Sequence, residues 1–197
     1  DSGELDALVS ERVWQEINSA LMEPSPAEFV SSLRECGALR HVLPEVDRLF
    51  GIPQTASYHP EIDTGKHLLL SLEMVSQLTR DAEVRFAVLV HDLGKGVTPQ
   101  ALWPSHHGHE EAGVALIEQL STRIKVPSAH KQLARLVSRY HLQCHRAFEL
   151  KPSTVLKLFK NLDVYRRTDR FKQFLIACEA DARGRAGLEN QPYGQSE

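Results

Sequence analysis

Apolar residues in this chain recur at three- and four-residue intervals along most of its length, and no segment alternates convincingly with period 2. Such a pattern builds helices rather than a sheet, because a helix face repeats about every 3.6 residues and a strand face every two. Punctuation divides the pattern into elements. Ser25-Pro-Ala-Glu28 reads as a capping box with proline at the first helical position, and Gly37 stops the helix it starts. Leu39, Val42, Leu43, Val46, Leu49 and Phe50 form a helical stripe interrupted by Pro44 and ended by Gly51. Residues 67–78 read as a third helix. Asp81 caps a fourth, whose Val84, Ala87, Val88 and His91 share a face before Gly94 and Gly96 end it. Residues 108–124, 128–141, 153–162 and 169–182 supply four more. Residues 51–64 are the longest irregular stretch, and 186–197 read as a flexible tail. The expected fold class is all-α.

At 197 residues the chain is long enough for one sizeable core. No apolar run approaches the roughly 20 residues of a membrane span, and no signal-peptide pattern is visible. Cys36, Cys144 and Cys178 are odd in number and lack a Cys-x-x-Cys spacing, which predicts a reduced cytoplasmic protein with buried thiols. The net charge of −3 hides an asymmetry. Residues 1–122 hold 8 Lys and Arg against 19 Asp and Glu, whereas residues 123–185 hold 15 against 5. The basic segment is either a set of solvated, internally paired faces or a surface for a polyanion such as nucleic acid. Arg135, Arg139, Lys157 and Lys160 are the candidate RNA-binding residues. Phe148, Phe159, Tyr165, Phe171 and Phe174 fall in the same segment, mostly at helical spacing, and core packing explains them better than base stacking.

The chemistry-bearing stretch is His91-Asp-Leu-Gly-Lys-Gly96, a His-Asp pair at the end of an apolar helix. Neighbouring helical side chains point about 100° apart, so an ion between the two directions can be held by both. Imidazole plus carboxylate suits a divalent metal acting as a Lewis acid or activating water. The chain has ten histidines, about twice the usual share, and all but His41 cluster between residues 59 and 145. His67, His109 and His141 stand near the ends of separate expected helices, where His91 and Asp92 could be joined by further ligands. No Ser-His-Asp or Cys-His nucleophile suggests itself, and Gly94 and Gly96 make too short a stretch for a phosphate-cradling loop.

On these residues the chain resembles the HD-domain metal-dependent phosphohydrolases, whose pattern is an early His, a His-Asp pair and a distal Asp. The resemblance implies metal ligation by His67, His91, Asp92 and Asp181, with His109 and His141 as candidates for a second ion. It implies a catalytic site at His91 and Asp92, and Lys95 as a point charge for a substrate phosphate.

Gly3-Glu-Leu, Glu11-Arg-Val-Trp-Gln-Glu, Cys36-Gly-Ala-Leu-Arg, His59-Pro-Glu-Ile-Asp-Thr-Gly, Leu102-Trp-Pro and Glu179-Ala-Asp-Ala-Arg-Gly-Arg carry a narrower likeness. With the His-Asp motif, they are similar to the bacterial CCA-adding tRNA nucleotidyltransferases that contain an HD domain. That resemblance implies a helical neck over 1–50, an HD helical bundle over 51–185 and a tail over 186–197. The family's nucleotidyltransferase head, with its Asp-x-Asp motif, has no counterpart in this sequence.

The implied activities are 2′,3′-cyclic phosphodiesterase, 2′-nucleotidase and phosphatase, acting on 2′,3′-cyclic nucleotides and 2′-phosphates. Ni²⁺ or Mg²⁺ is the favoured ion, with Mn²⁺ and Co²⁺ also suited, and the intact family enzymes add and repair the CCA end of tRNA. Two rival readings are a tRNA-gripping module with an idle site and another HD-type nucleotide phosphohydrolase. Monomer and homodimer both stay open.

Overall fold

The computed structural model describes residues 9–196. They form ten α-helices and no sheet, with an isolated bridge between Pro53 and Asp63. The helices are α1 (Ser10–Met22), α2 (Pro26–Glu35), α3 (Leu39–Val42), α4 (Pro44–Asp47), α5 (Thr64–Leu78), α6 (Ala82–Val90), α7 (His109–Arg123), α8 (Ser128–His145), α9 (Pro152–Leu162) and α10 (Thr168–Arg183). The Gly3-Glu-Leu motif lies outside the described residues.

Helix α6 is the axis of the molecule. Every residue from Val84 to Val90 is buried, as befits a helix apolar nearly all round, and it packs against α1, α5, α8 and α10. Asp81 starts it as expected, its carboxylate accepting from the amides of Glu83 and Val84. The one buried charge of this helix, Arg85, is 2% exposed. Its guanidinium donates to the carbonyls of Leu21 and Glu23 at 2.6 and 2.9 Å, and to those of Ser76 and Thr79 at 3.0 and 2.8 Å. These carbonyls lie at or just past the C-termini of α1 and α5, where acceptors lack intrahelical partners and the helix dipole favours a cation. A single buried side chain thereby ties three helices together.

The N-terminal helices share this core. Trp14 meets Phe86 and His130 edge-on at 5.3 and 5.0 Å between ring centroids. Ile17, Leu21, Val30 and Leu39 are buried in the same cluster as Leu68, Leu89 and Leu133.

Several local readings shift. The helix α1 has no counterpart among the helices read from periodicity. Ser25 precedes α2, but its side chain makes no capping hydrogen bond. The stripe ending at Gly51 is two short helices, because Pro44 has no amide to continue the first and instead opens the second. Helix α5 begins three residues before His67, at the Asp63 cap, whose carboxylate accepts from the Lys66 amide. Helix α8 runs four residues past His141.

Cys144 and Cys178 are buried but Cys36 is exposed, correcting the expectation for that thiol. Phe174 is core and Phe159 and Phe171 are half-buried, whereas Phe148 and Tyr165 are 78% and 80% exposed. Residues 186–196, read as a tail, make contacts of their own. The hydroxyl of Tyr193 lies 3.0 Å from Nδ1 of His145, and the Gln195 amide donates to the His145 carbonyl at 2.7 Å.

Candidate metal centre

Helix α6 ends at His91, its C-cap residue, and the chain tightens into a 3₁₀ turn over Leu93–Val97. That turn packs flat against α7 because Gly94 has no side chain. A Cβ there would stand 1.9 Å from the His109 carbonyl oxygen and 2.7 Å from the Gly113 amide nitrogen. The two glycines set the approach of the His91-Asp92 corner to His109, the first residue of α7. Meanwhile α5 delivers His67, α8 delivers His141, and α10 delivers Asp181.

All six side chains are buried. Oδ1 of Asp181 lies 2.9 Å from Nε2 of His67 and 3.6 Å from Nε2 of His91. Oδ1 of Asp92 lies 3.5 and 3.7 Å from the Nε2 atoms of His109 and His141, while its Oδ2 lies 3.4 Å from Nε2 of His91. The donor atoms therefore fall into two adjacent sets, His67-His91-Asp181 and Asp92-His109-His141, each with its atoms within 4.8 Å of one another. Asp92 spans them with its two oxygens.

The imidazoles are aimed from behind. Nδ1 of His91 donates to the Val88 carbonyl at 2.8 Å, that of His109 to the His106 carbonyl at 2.8 Å, and that of His141 to the Val137 carbonyl at 3.0 Å. Nδ1 of His67 faces Glu61 Oε1 at 3.0 Å. With Nδ1 of His91, His109 and His141 occupied by a carbonyl, these rings turn Nε2 toward the cluster, the tautomer a metal requires, and the carboxylate beside Nδ1 of His67 favours the same orientation. Within the cluster, Nε2 of His91, Nε2 of His109 and Oδ1 of Asp92 are buried without a hydrogen-bond partner. Orphaned buried polar atoms are costly, and a divalent cation would satisfy all three at once.

The electrostatics are steep. Burial resists ionisation of Asp92, yet Lys95 and His91 outweigh it and hold the carboxyl well below the usual carboxylate range. Burial also opposes the charge on Asp181, again overcome by His145 and His91. Burial works against protonation of His91, but Asp92 and Asp181 push it up to about 10. His67 is likewise raised, Asp181 and Glu61 outweighing its burial. His141 is buried with less compensation and falls to about 3.

Lys95 is 6% exposed, with Nζ 2.6 Å from Asp92 Oδ2 and donating to Gln54 Oε1 at 2.9 Å. It faces the site from inside the fold.

Four residues of this neighbourhood do not figure in the ligand set read from the sequence. Glu61 Oε1 also accepts from Nδ1 of His59 at 3.1 Å, and its Oε2 accepts from the Ala186 amide. Nε2 of His145 lies 2.7 Å from the outer oxygen of Asp181. Gln54 links Lys95 to Glu61. His145 could have been found, since it stands one helical turn beyond His141 on the same face. For Glu61 and Gln54, in the irregular stretch, no periodicity points at the site.

The basic candidates divide. Arg135 pairs with Glu118 at 2.9 Å and Arg139 pairs with Glu111, both across the α7–α8 contact. Lys157 and Lys160 are exposed on α9 and form no ion pair among the described residues.

Comparison with known proteins matches the HD domain family to residues 64–168, and the family described as the probable RNA and SrmB-binding site of polymerase A to residues 2–50. The chain is 60% identical over 194 residues to the multifunctional CCA protein of Alkalilimnicola ehrlichii, covering 98% of this chain and 47% of that protein. It is 57% identical over 195 residues to the protein of the same name from Teredinibacter turnerae, covering 99% and 47%. The Vibrio vulnificus protein of that name is 53% identical over 196 residues, covering 100% and 48%. The chain thus spans about half the length of the curated relatives it matches.

Proposed function

The chain belongs to the HD domain family, and on that premise we propose that it hydrolyses phosphate esters with a divalent metal held by His67, His91, Asp92 and Asp181. His109 and His141, grouped with Asp92, would hold a second ion. The observation that carries this reading is the convergence of four buried imidazole Nε2 atoms and two carboxylates, three of whose atoms have no hydrogen-bond partner. Nitrogen and carboxylate donors together suit Ni²⁺, Mn²⁺ or Co²⁺, and Mg²⁺ where carboxylates and water dominate.

A divalent ion in such a site supplies Lewis acidity and lowers the pKa of water bound to it. The protein's own residues do the rest. Glu61 and the backbone carbonyls of Val88, His106 and Val137 fix the ring orientations. Lys95 holds Asp92 ionised through Oδ2 and brings a positive charge beside the site, where a phosphate oxygen gains from it. His145 holds the outer oxygen of Asp181, leaving the inner one toward His67 and His91.

The substrate classes we propose are 2′,3′-cyclic nucleotides, 2′-nucleotides and other phosphomonoesters. The relatives' name and the match over residues 2–50 support tRNA as the macromolecular partner and a role beside CCA addition. No described helix is long and apolar enough to cross a membrane. We place the protein in the cytoplasm on the strength of its reduced-type cysteines. Incubating the metal-stripped chain with 2′,3′-cyclic AMP, with and without added Ni²⁺ or Mg²⁺, tests the reading. Metal-dependent ring opening supports it, and equal rates with and without metal reject it.

A further inference from the structure

We propose that the outer face of α9 and the turn that follows it form a second RNA-contacting surface, remote in sequence from the RNA-binding match over residues 2–50. The proposal rests on the reading of RNA as partner and adds where and how it is gripped. The run from Lys151 to Arg167 contains five cations and a single carboxylate, Asp163. Lys151, Lys157, Lys160, Arg166 and Arg167 are all exposed, and none forms an ion pair among the described residues. Their neighbours on α8 behave differently. Lys131 and Arg135 share Glu118, and Arg139 holds Glu111. The basic half of the sequence is thus neutralised on α8 and left free on α9.

Helix geometry gathers the free charges. Leu158 and Leu162 bury one side of α9. Lys157 and Lys160, three residues apart, share the opposite side about 4.5 Å apart along the axis. The turn after Leu162 adds Arg166 and Arg167 beyond the helix end, with Tyr165 immediately before them. Tyr165 is 80% exposed, so no packing need accounts for its ring. A bare aromatic beside guanidinium and ammonium groups is the arrangement that grips single-stranded nucleic acid, bases stacking on the ring while cations follow the phosphates. An anionic membrane would call for an apolar ridge beside the charges, and α9 offers only Leu156 on its outer face. An acidic protein would leave Tyr165 without a partner of its own.

Fluorescence anisotropy with a labelled, mixed-sequence single-stranded RNA, in chelator so that no hydrolysis intervenes, tests this directly. Neutralising the face by Lys157→Gln, Lys160→Gln, Arg166→Gln and Arg167→Gln should weaken binding at least about tenfold. It should also reduce the slope of log affinity against log salt by about 3, from roughly 0.7 per phosphate contact. Tyr165→Ala should weaken binding about fivefold or more with the slope unchanged. Arg135→Gln with Arg139→Gln should leave both quantities unchanged. Hydrolysis of 2′,3′-cyclic AMP by the fourfold variant should equal that of the parent, which separates this surface from the metal site. If RNA binding is absent from the parent, the partner reading fails. If RNA binding is present but survives the fourfold change, or falls equally in the α8 pair, the surface is misplaced. Loss of binding to polyglutamate or anionic vesicles with RNA binding intact overturns the proposal in favour of those partners.

Discussion

Nε2 of His67 and Oδ1 of Asp181 meet at 2.9 Å although 114 residues separate them in the chain. The contact joins α5 to α10, and both helices also pack on α6, which ends at His91. Three mutually packed helices thus bring an imidazole, a second imidazole and a carboxylate to one point inside the fold. The helical scaffold is what makes the cluster possible, because His67 and Asp181 sit within helices and His91 caps the end of a third.

Glu61 should matter to metal affinity without touching the ion. Its carboxylate faces Nδ1 of His67 at 3.0 Å, and Glu61→Gln exchanges a charged acceptor for a neutral amide of the same shape. Calorimetric titration with Ni²⁺ should show affinity lowered about 10- to 100-fold, as for other residues that orient a ligating histidine. An unchanged affinity would mean that the His67 ring is held by packing alone.

In chelator, stability should peak near pH 6.5 and decline on both sides. His141, lowered to about 3, and His59, lowered to about 4 by burial, stay neutral in the fold while the unfolded chain protonates them near 6.5. Their contribution is therefore lost as pH falls below about 6.5. His91, raised to about 10, contributes fully below 6.5 and progressively less as pH rises toward 10. Urea unfolding from pH 4 to 9 checks both limbs, and stability still climbing at pH 8–9 would contradict the second. Since ligation needs neutral imidazole, metal uptake at pH 7 should also release protons, detectable as a buffer-dependent binding enthalpy.

Arg85→Met should destabilise the chain by about 3 kcal/mol or more, because four carbonyls lose a buried donor. The loss should be independent of metal. Urea denaturation in chelator and with Ni²⁺ measures it, and a loss under about 1 kcal/mol would assign those carbonyls to water.

Gly94→Ala should be worse than its single methyl suggests. The added carbon would lie 1.9 Å from the His109 carbonyl oxygen, so the 3₁₀ turn and α7 must separate. Such overpacking typically costs about 1–3 kcal/mol. The separation should also move Asp92 away from His109, and reduced Ni²⁺ affinity together with reduced stability is the expected pair of results.

Much of this was legible in the residues. Period, caps and stops locate α6 and α7 closely, since Asp81 and Gly108 act through local chemistry. The His91-Asp92 pair signals a metal through its own side chains. What local pattern cannot carry is partnership across the fold. That Arg135 and Arg139 are spent on Glu118 and Glu111 depends on α7 lying against α8, which no spacing reveals. Asp181 is one carboxylate among 26 Asp and Glu until α10 is placed beside α5, and only the family resemblance singled it out. Tyr165 falls among five aromatics that core packing explains better than base stacking, yet the chain turns at Asp163, in a left-handed conformation, and leaves the ring exposed.

The central claim is hydrolysis at a metal held by the His-Asp cluster, and one comparison tests it most directly. The metal-stripped chain and its Asp92→Asn variant are each given 2′,3′-cyclic AMP with a graded series of Ni²⁺, and product is followed alongside bound metal. The parent should bind the ion and open the ring in proportion to occupancy, while the variant retains its helical spectrum and shows neither. Hydrolysis by the variant at the parent's rate, or full metal occupancy in the parent without hydrolysis, would contradict the claim.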